Sequence, residues 1–82
     1  PSPAPALLAL QQLGIEPGPD IWFVGDTHGD VQCALAAGLT PILVTTHSYA
    51  GPAPAFRFNS LIDLVSAYHA SNTETPGIAA TA

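Results

Sequence analysis

The segment from Ile21 to Asp30 constrains the fold of this chain more than any other. Four apolar residues, two aromatic and two β-branched, run without a polar interruption into Gly25 and Asp26. A run of this kind is typical of a strand buried on both faces of a parallel sheet. Gly25 permits a sharp turn at the strand's carboxyl end, the edge where open α/β sheets bind ligands. Asp26 is therefore predicted at a ligand-binding edge.

A second carboxylate follows at Asp30, where an apolar run with helical character begins. Two carboxylates about 5 Å apart would repel by roughly 3 kcal/mol at an effective dielectric of 20. A divalent cation removes that repulsion, and Mg²⁺ favours hard oxygen ligands of this kind. Asp26 and Asp30 are thus candidate metal ligands. Two simpler roles stay open: Asp30 as a helix-capping or first-turn acid, and Asp26 as a turn-former.

Three neighbours of the acidic pair are candidate substrate contacts: Gly25, Thr27 and His28. A histidine in this loop could touch a phosphate or transfer a proton. It could equally be an ordinary exposed loop residue. No residue of the chain is predicted to be catalytic, and serine-hydrolase chemistry is not expected, because no Ser-His-Asp arrangement can be read from the sequence.

The order of elements predicts an α/β fold. We expect helices over residues 5–13, 30–37 and 61–69, and strands over 21–24, 41–44 and 56–58. A strand, a helix and a second strand within a short span form a βαβ unit. This arrangement is a Rossmann-like, three-layer α/β/α fold with a parallel sheet of two to three strands. Residues 1–69 are expected to form one folded unit, and 70–82, rich in small and polar residues, a disordered tail.

The composition restricts the classes of partner. Charged residues make up 9% of the chain, the net charge is −5, and Arg57 is the sole lysine or arginine. This argues against nucleic acid or an anionic membrane as a partner. The lone Cys33 permits no intrachain disulfide and suits a reducing cytoplasm; we expect it to be a buried apolar residue. The absence of methionine suggests that these residues belong to a longer protein.

The segment Val24-Gly25-Asp26-Thr27, followed by Asp30-Val31 and Ala36-Ala37-Gly38-Leu39-Thr40-Pro41, closely resembles the last acidic motif of haloacid dehalogenase-like hydrolases. The phosphoglycolate-phosphatase-like branch is the most similar. The opening Pro1-Ser2-Pro3 and the later Leu13-Gly14-Ile15 resemble the family's Lys-Pro-x-Pro segment and the helix after it. The resemblance implies that Asp26 binds catalytic Mg²⁺ directly and that Asp30 is a supporting acid of the same site.

The resemblance also implies what the intact parent does: it hydrolyses a small phosphomonoester, such as phosphoglycolate, through an aspartyl-phosphate. The family's Asp-x-Asp-Gly-Thr segment and its lysine have no counterpart here, so we expect these 82 residues to be inactive alone. The expected partners are a small phosphorylated metabolite and the missing N-terminal half of the domain. The alternative is a non-catalytic interaction fragment that pairs with another chain through the open edge of the strand at 21–24.

Overall fold

A computed structural model describes residues 2–71 and 77–81 of the chain. These residues form, in order, α1 (Ala4–Leu13), β1 (Ile21–Gly25), α2 (His28–Ala37), β2 (Thr40–Val44), β3 (Phe56–Phe58), α3 (Leu61–Ser71) and β4 (Gly77–Thr81). The predicted α/β class is confirmed, and the predicted elements agree with the observed ones to within two residues at each end.

The sheet has the order β3-β2-β1-β4, and every pair of neighbouring strands is parallel. Val24 of β1 is level with Ile42 of β2, which is level in turn with Phe56 of β3. The two central strands are the most apolar, as expected for a parallel sheet covered on both faces. Their carboxyl ends lie together, so the segments that follow Gly25 and Val44 share one edge.

The fourth strand corrects two predictions. Gly77–Thr81 pairs with β1, whereas residues 70–82 were expected to be disordered, and α3 also extends to Ser71. Residues 72–76 and 82 of that predicted tail lie outside the described residues. The second correction concerns the edge of β1, which β4 occupies and which is therefore not open. The pairing uses backbone groups, so the small residues of this segment, which carry no periodic pattern, can still complete the sheet.

One face of the sheet is covered by α1 and α2. The buried residues between them form a continuous core: Ala6, Leu10, Ile21, Phe23, Cys33, Ala34, Ala37 and Leu39. Cys33 is buried, as predicted. Ala34 and Ala37 are the small buried residues of α2 on this face, whereas Ala36 is exposed.

The opposite face is covered by α3, through one fully buried side chain. Leu64 packs with Val24 and Ile42, and partly buried Trp22, Val44 and Phe58 surround this cluster. The indole of Trp22 meets the ring of Tyr68 edge-on, with ring centres 5.4 Å apart. Three large apolar residues of α3 are exposed, Leu61, Ile62 and Val65, so the helix is held mainly by Leu64 and Tyr68.

Two glycines end the helices on the first face. Gly14 and Gly38 have φ of 71° and 78°, a left-handed conformation that closes a helix with little strain only in glycine. The backbone N–H of Leu39 then donates to the carbonyl of Ala34 at 2.8 Å, which turns the chain from α2 into β2. No helix in the described part of the chain is both long and apolar enough to cross a membrane.

Candidate functional site

The loop between β1 and α2 contains only two residues, Asp26 and Thr27. The sequence suggested that α2 begins at Asp30, but its first residue is His28 and its N-cap is Thr27. Thr27 has extended backbone angles, and its side chain accepts a hydrogen bond from the N–H of Asp30 at 3.3 Å. The side chain of Asp30 in turn accepts a hydrogen bond from the backbone N–H of Thr27, which completes a capping box. The helix therefore starts almost directly at the end of the strand.

The side chain of Asp30 is directed into this loop. Its Oδ2 atom accepts hydrogen bonds from the backbone N–H of Asp26 at 3.0 Å and from that of Thr27 at 3.1 Å. The hydroxyl of Thr27 donates to the same oxygen at 2.9 Å. One carboxylate oxygen thus holds both loop residues. Of the two simpler roles left open for Asp30, that of a first-turn acid is confirmed, whereas the N-cap itself is Thr27.

Gly25 makes this arrangement sterically possible. A Cβ placed on Gly25 would lie 2.3 Å from the Cβ of Asp30 and 2.5 Å from its Cγ and Oδ2. Real Cβ atoms do not approach other atoms so closely, so the side chain of Asp30 occupies space that only a glycine leaves free. Gly25 is buried, and its role in the structure is this close approach.

Asp26 lacks the partial burial and the hydrogen bonds of the Asp30 carboxylate. It is exposed, and its carboxylate accepts no hydrogen bond from any described residue. It follows the last residue of β1, at the shared edge of the sheet. An exposed carboxylate without a protein partner is a suitable single ligand for Mg²⁺, which keeps several waters and uses one or two protein carboxylates together with substrate phosphates. Among residues 2–71 and 77–81, no group of three or more acidic, histidine or cysteine side chains could hold a metal alone.

His28 lies beside a second loop that follows β2. A Cβ added to Gly51, whose φ is 154°, would lie 2.9 Å from the Cβ of His28 and 3.0 Å from the hydroxyl of Tyr49. That hydroxyl donates to the carbonyl of Pro52 at 2.6 Å, which closes the loop on itself. The loop after β2 therefore packs against the first turn of α2, while His28 stays exposed.

The side chain of Arg57 is hydrogen-bonded to the start of the same loop. Its guanidinium donates to the carbonyl of His47, and the N–H of Thr45 donates to the carbonyl of Phe58 at 3.0 Å. Arg57 is exposed, and it is the chain's sole lysine or arginine. Its observed role is to join β3 to the segment after β2.

We expect Arg57→Ala to loosen this loop with little effect on global stability. An exposed hydrogen bond from a charged donor contributes on the order of 1 kcal/mol, so the free energy of unfolding should fall by about 1 kcal/mol or less. Hydrogen exchange should become faster over residues 45–51 and remain unchanged in β1. Arg57→Lys is the control, since it retains a donor; equal exchange in the wild type and Arg57→Ala would contradict the fastening role.

Sequence reasoning missed two features of this site. The pairing of Thr27 with Asp30 had a readable signal, because a threonine followed three residues later by an acid is a capping-box pattern. The packing of Gly51 on His28 had none, because it depends on the path of a loop without periodicity. The structure brings together Gly25, Asp26, Thr27, His28 and Asp30, all of the predicted site residues.

Comparison with known proteins shows the family of the chain. The model of the HAD-hydrolase-like (haloacid dehalogenase-like) family matches residues 1–64, and the chain belongs to this family. It is also similar to the D-glycero-β-D-manno-heptose-1,7-bisphosphate 7-phosphatase of Pseudomonas putida, with 46% identity over 41 residues, or 50% of this chain. The matched part spans 22% of that curated relative. No solved structure matches the chain.

Proposed function

We propose that this chain is part of a Mg²⁺-dependent phosphatase that hydrolyses a small phosphomonoester. The observation that carries the proposal is the exposed carboxylate of Asp26 at the carboxyl edge of a parallel sheet, in a chain of the HAD-like family. The named phosphatase among its relatives supports a phosphorylated substrate. The class proposed here is a small phosphorylated metabolite, of which phosphoglycolate is the representative suggested by the sequence motif.

In this proposal Asp26 supplies one ligand to Mg²⁺ and Asp30 supports the same site. Bound Mg²⁺ would neutralise negative charge on the phosphoryl oxygens. Thr27 and His28 follow Asp26, and in this proposal the exposed imidazole of His28 would contact a phosphate. Gly25 is buried, so it would influence the substrate through the shape of the loop.

The covalent chemistry would be supplied by residues outside this chain. A carboxylate oxygen of an aspartate bonds to phosphorus while the bond from phosphorus to the ester oxygen breaks, and a second acid protonates the departing alcohol. Water then hydrolyses the aspartyl-phosphate and releases inorganic phosphate. The present residues contain no such pair, so we expect them to be inactive alone. A cytoplasmic location is part of the proposal, since a single cysteine permits no intrachain disulfide.

The competing proposal, a non-catalytic fragment that captures another chain at the edge of β1, has weaker support. Its basis was an unpaired edge, and β4 pairs with β1 along that edge. The outer strands of the described sheet are β3 and β4. Neither carries the long apolar run that made β1 a candidate for pairing between chains.

Hydrolysis of p-nitrophenyl phosphate with Mg²⁺ tests the proposed function. The assay compares the 82-residue chain with a chain extended upstream. We expect activity only in the extended protein, and Asp26→Asn should reduce it by about 100-fold or more, the effect of removing a group that stabilises transition-state charge.

Asp20→Asn is the matched control, because it removes the same charge at the other end of β1, and it should leave activity unchanged. An extended protein that is inactive, or one that is indifferent to Asp26→Asn, would contradict the proposal. Activity of the short chain by itself would contradict the assignment of the chemistry to residues outside it.

A further inference from the structure

We infer that Asp30 is the positioning residue of this site, which fixes the backbone that carries Asp26, and that its hydrogen-bonded Oδ2 atom is not a ligand of the metal. The inference rests on the proposed function for the metal, but its structural part stands without it. Its basis is the convergence of three donors on Asp30 Oδ2: the N–H groups of Asp26 and Thr27 and the hydroxyl of Thr27.

These donors leave Oδ2 poorly suited to a cation. A carboxylate oxygen has two lone-pair sites, and here both are shared among three hydrogen-bond donors. The hydrogens that point at Oδ2 carry partial positive charge, and the amino end of α2 adds more. A cation bound at this oxygen would be repelled by the groups around it, so bidentate coordination by Asp30 is excluded.

The same contacts reduce the charge repulsion expected between Asp26 and Asp30. Two bare carboxylates would repel and favour a cation between them, but the charge of Asp30 is already compensated by the loop and by the helix end. Asp26 has no such compensation from the described residues. The structure therefore divides the acidic pair into an exposed ligand and a half-buried anchor.

The anchor also determines where the ligand lies. The side chain of Asp30 fills the space next to the Cα of Gly25, the residue before Asp26, and binds the backbone N–H of Asp26 itself. The backbone N–H groups on either side of the Asp26 Cα, its own and that of Thr27, are thus held by one side chain. Loss of this side chain should leave Asp26 present but variable in position.

The test compares Asp30→Asn, Asp30→Ala and Asp26→Asn in the 82-residue chain by NMR. Hydrogen exchange of the Asp26 and Thr27 amides reports the anchor, and Mn²⁺-induced broadening of loop signals, with Mn²⁺ as the probe for Mg²⁺, reports metal binding. Asparagine retains a carbonyl oxygen that can accept from the two amides, whereas alanine retains none.

We expect Asp30→Asn to keep amide protection and Mn²⁺ broadening within about threefold of the wild type, consistent with a neutral acceptor replacing a charged one. Asp30→Ala should lose about tenfold in protection, equivalent to one hydrogen bond, and bind Mn²⁺ several-fold more weakly although Asp26 is intact. Asp26→Asn should abolish broadening and retain protection.

Two results would overturn the inference. If Asp30→Asn abolishes Mn²⁺ broadening as Asp26→Asn does, while the amides stay protected, Asp30 is a ligand. If Asp30→Ala leaves protection unchanged, it is not an anchor. Absence of broadening in the wild type would count against the metal role of Asp26 in the proposed function, and the exchange data would still decide whether Asp30 anchors the loop.

Discussion

Gly25→Ala should lower the free energy of unfolding by about 3 kcal/mol or more. The added methyl group would lie 2.3 Å from the Cβ of Asp30, and neither atom can move without its backbone. If β1 shifts, the core is strained, at a cost of about 1–3 kcal/mol for an overpacked site. If Asp30 moves, its hydrogen bonds to the loop are lost, at about 0.5–1.5 kcal/mol each. Urea denaturation followed by circular dichroism measures the change.

Gly29→Ala is the control for this variant, because it makes the same chemical change four residues later. Gly29 lies in the first turn of α2, and the nearest atom to an added Cβ is 3.6 Å away, an ordinary contact. Alanine is favoured over glycine in a helix by up to about 1 kcal/mol, so this variant should be neutral or more stable. Equal stability of the two variants would show that the close packing of Gly25 on Asp30 is not required.

Leu64→Ala should destabilise the protein by about 3 kcal/mol, within the range of about 2–5 kcal/mol for a buried leucine cut back to alanine. Leu64 is 1% exposed and is the buried contact of α3 with Val24 and Ile42. A domain of this length has a total stability of roughly 4–12 kcal/mol, so the loss should be a large part of it. Tryptophan fluorescence should change early in unfolding, because Trp22 contacts Tyr68 of the same helix.

Ile62→Ala on the same helix provides the comparison. Ile62 is 77% exposed, and surface substitutions away from special features change stability by about 0.5 kcal/mol or less. A similar loss in both variants would mean that α3 is stabilised by its own helix propensity or by contacts of its outer side. A larger loss of stability in Leu64→Ala than in Ile62→Ala would show that Leu64 holds α3 on the sheet.

The elements predicted best are those with strong local signals. Ile21 to Val24 formed the expected buried strand, and Gly14 and Gly38 ended helices where expected, because an apolar run and a left-handed glycine act locally. β4 was missed because Gly77–Thr81 has no strand pattern of its own, and its pairing depends on a distant partner. The exposure of Leu61, Ile62 and Val65 in α3 could not be predicted, because periodicity identifies an apolar side but not the surface available to cover it.

The candidate site was predicted in position but not in its internal contacts. Asp26 could be placed from its location after a buried strand, since the topology of a parallel sheet fixes where such residues lie. The role of Asp30 was open, because an acid in a first helical turn can cap the helix, bind a metal or do both. Only the three hydrogen bonds to its Oδ2 distinguish the capping function.

The all-parallel order β3-β2-β1-β4 has a consequence for the kinetics of folding. No described strand pair is a hairpin, so each pairing must wait until a long intervening segment has crossed the sheet. Contacts between distant parts of a chain form slowly because loop closure comes before any gain from pairing. During that delay the apolar residues of β1 remain without partners, which exposes the chain to aggregation. Refolding yield should therefore fall as protein concentration rises, with β1 as the segment responsible.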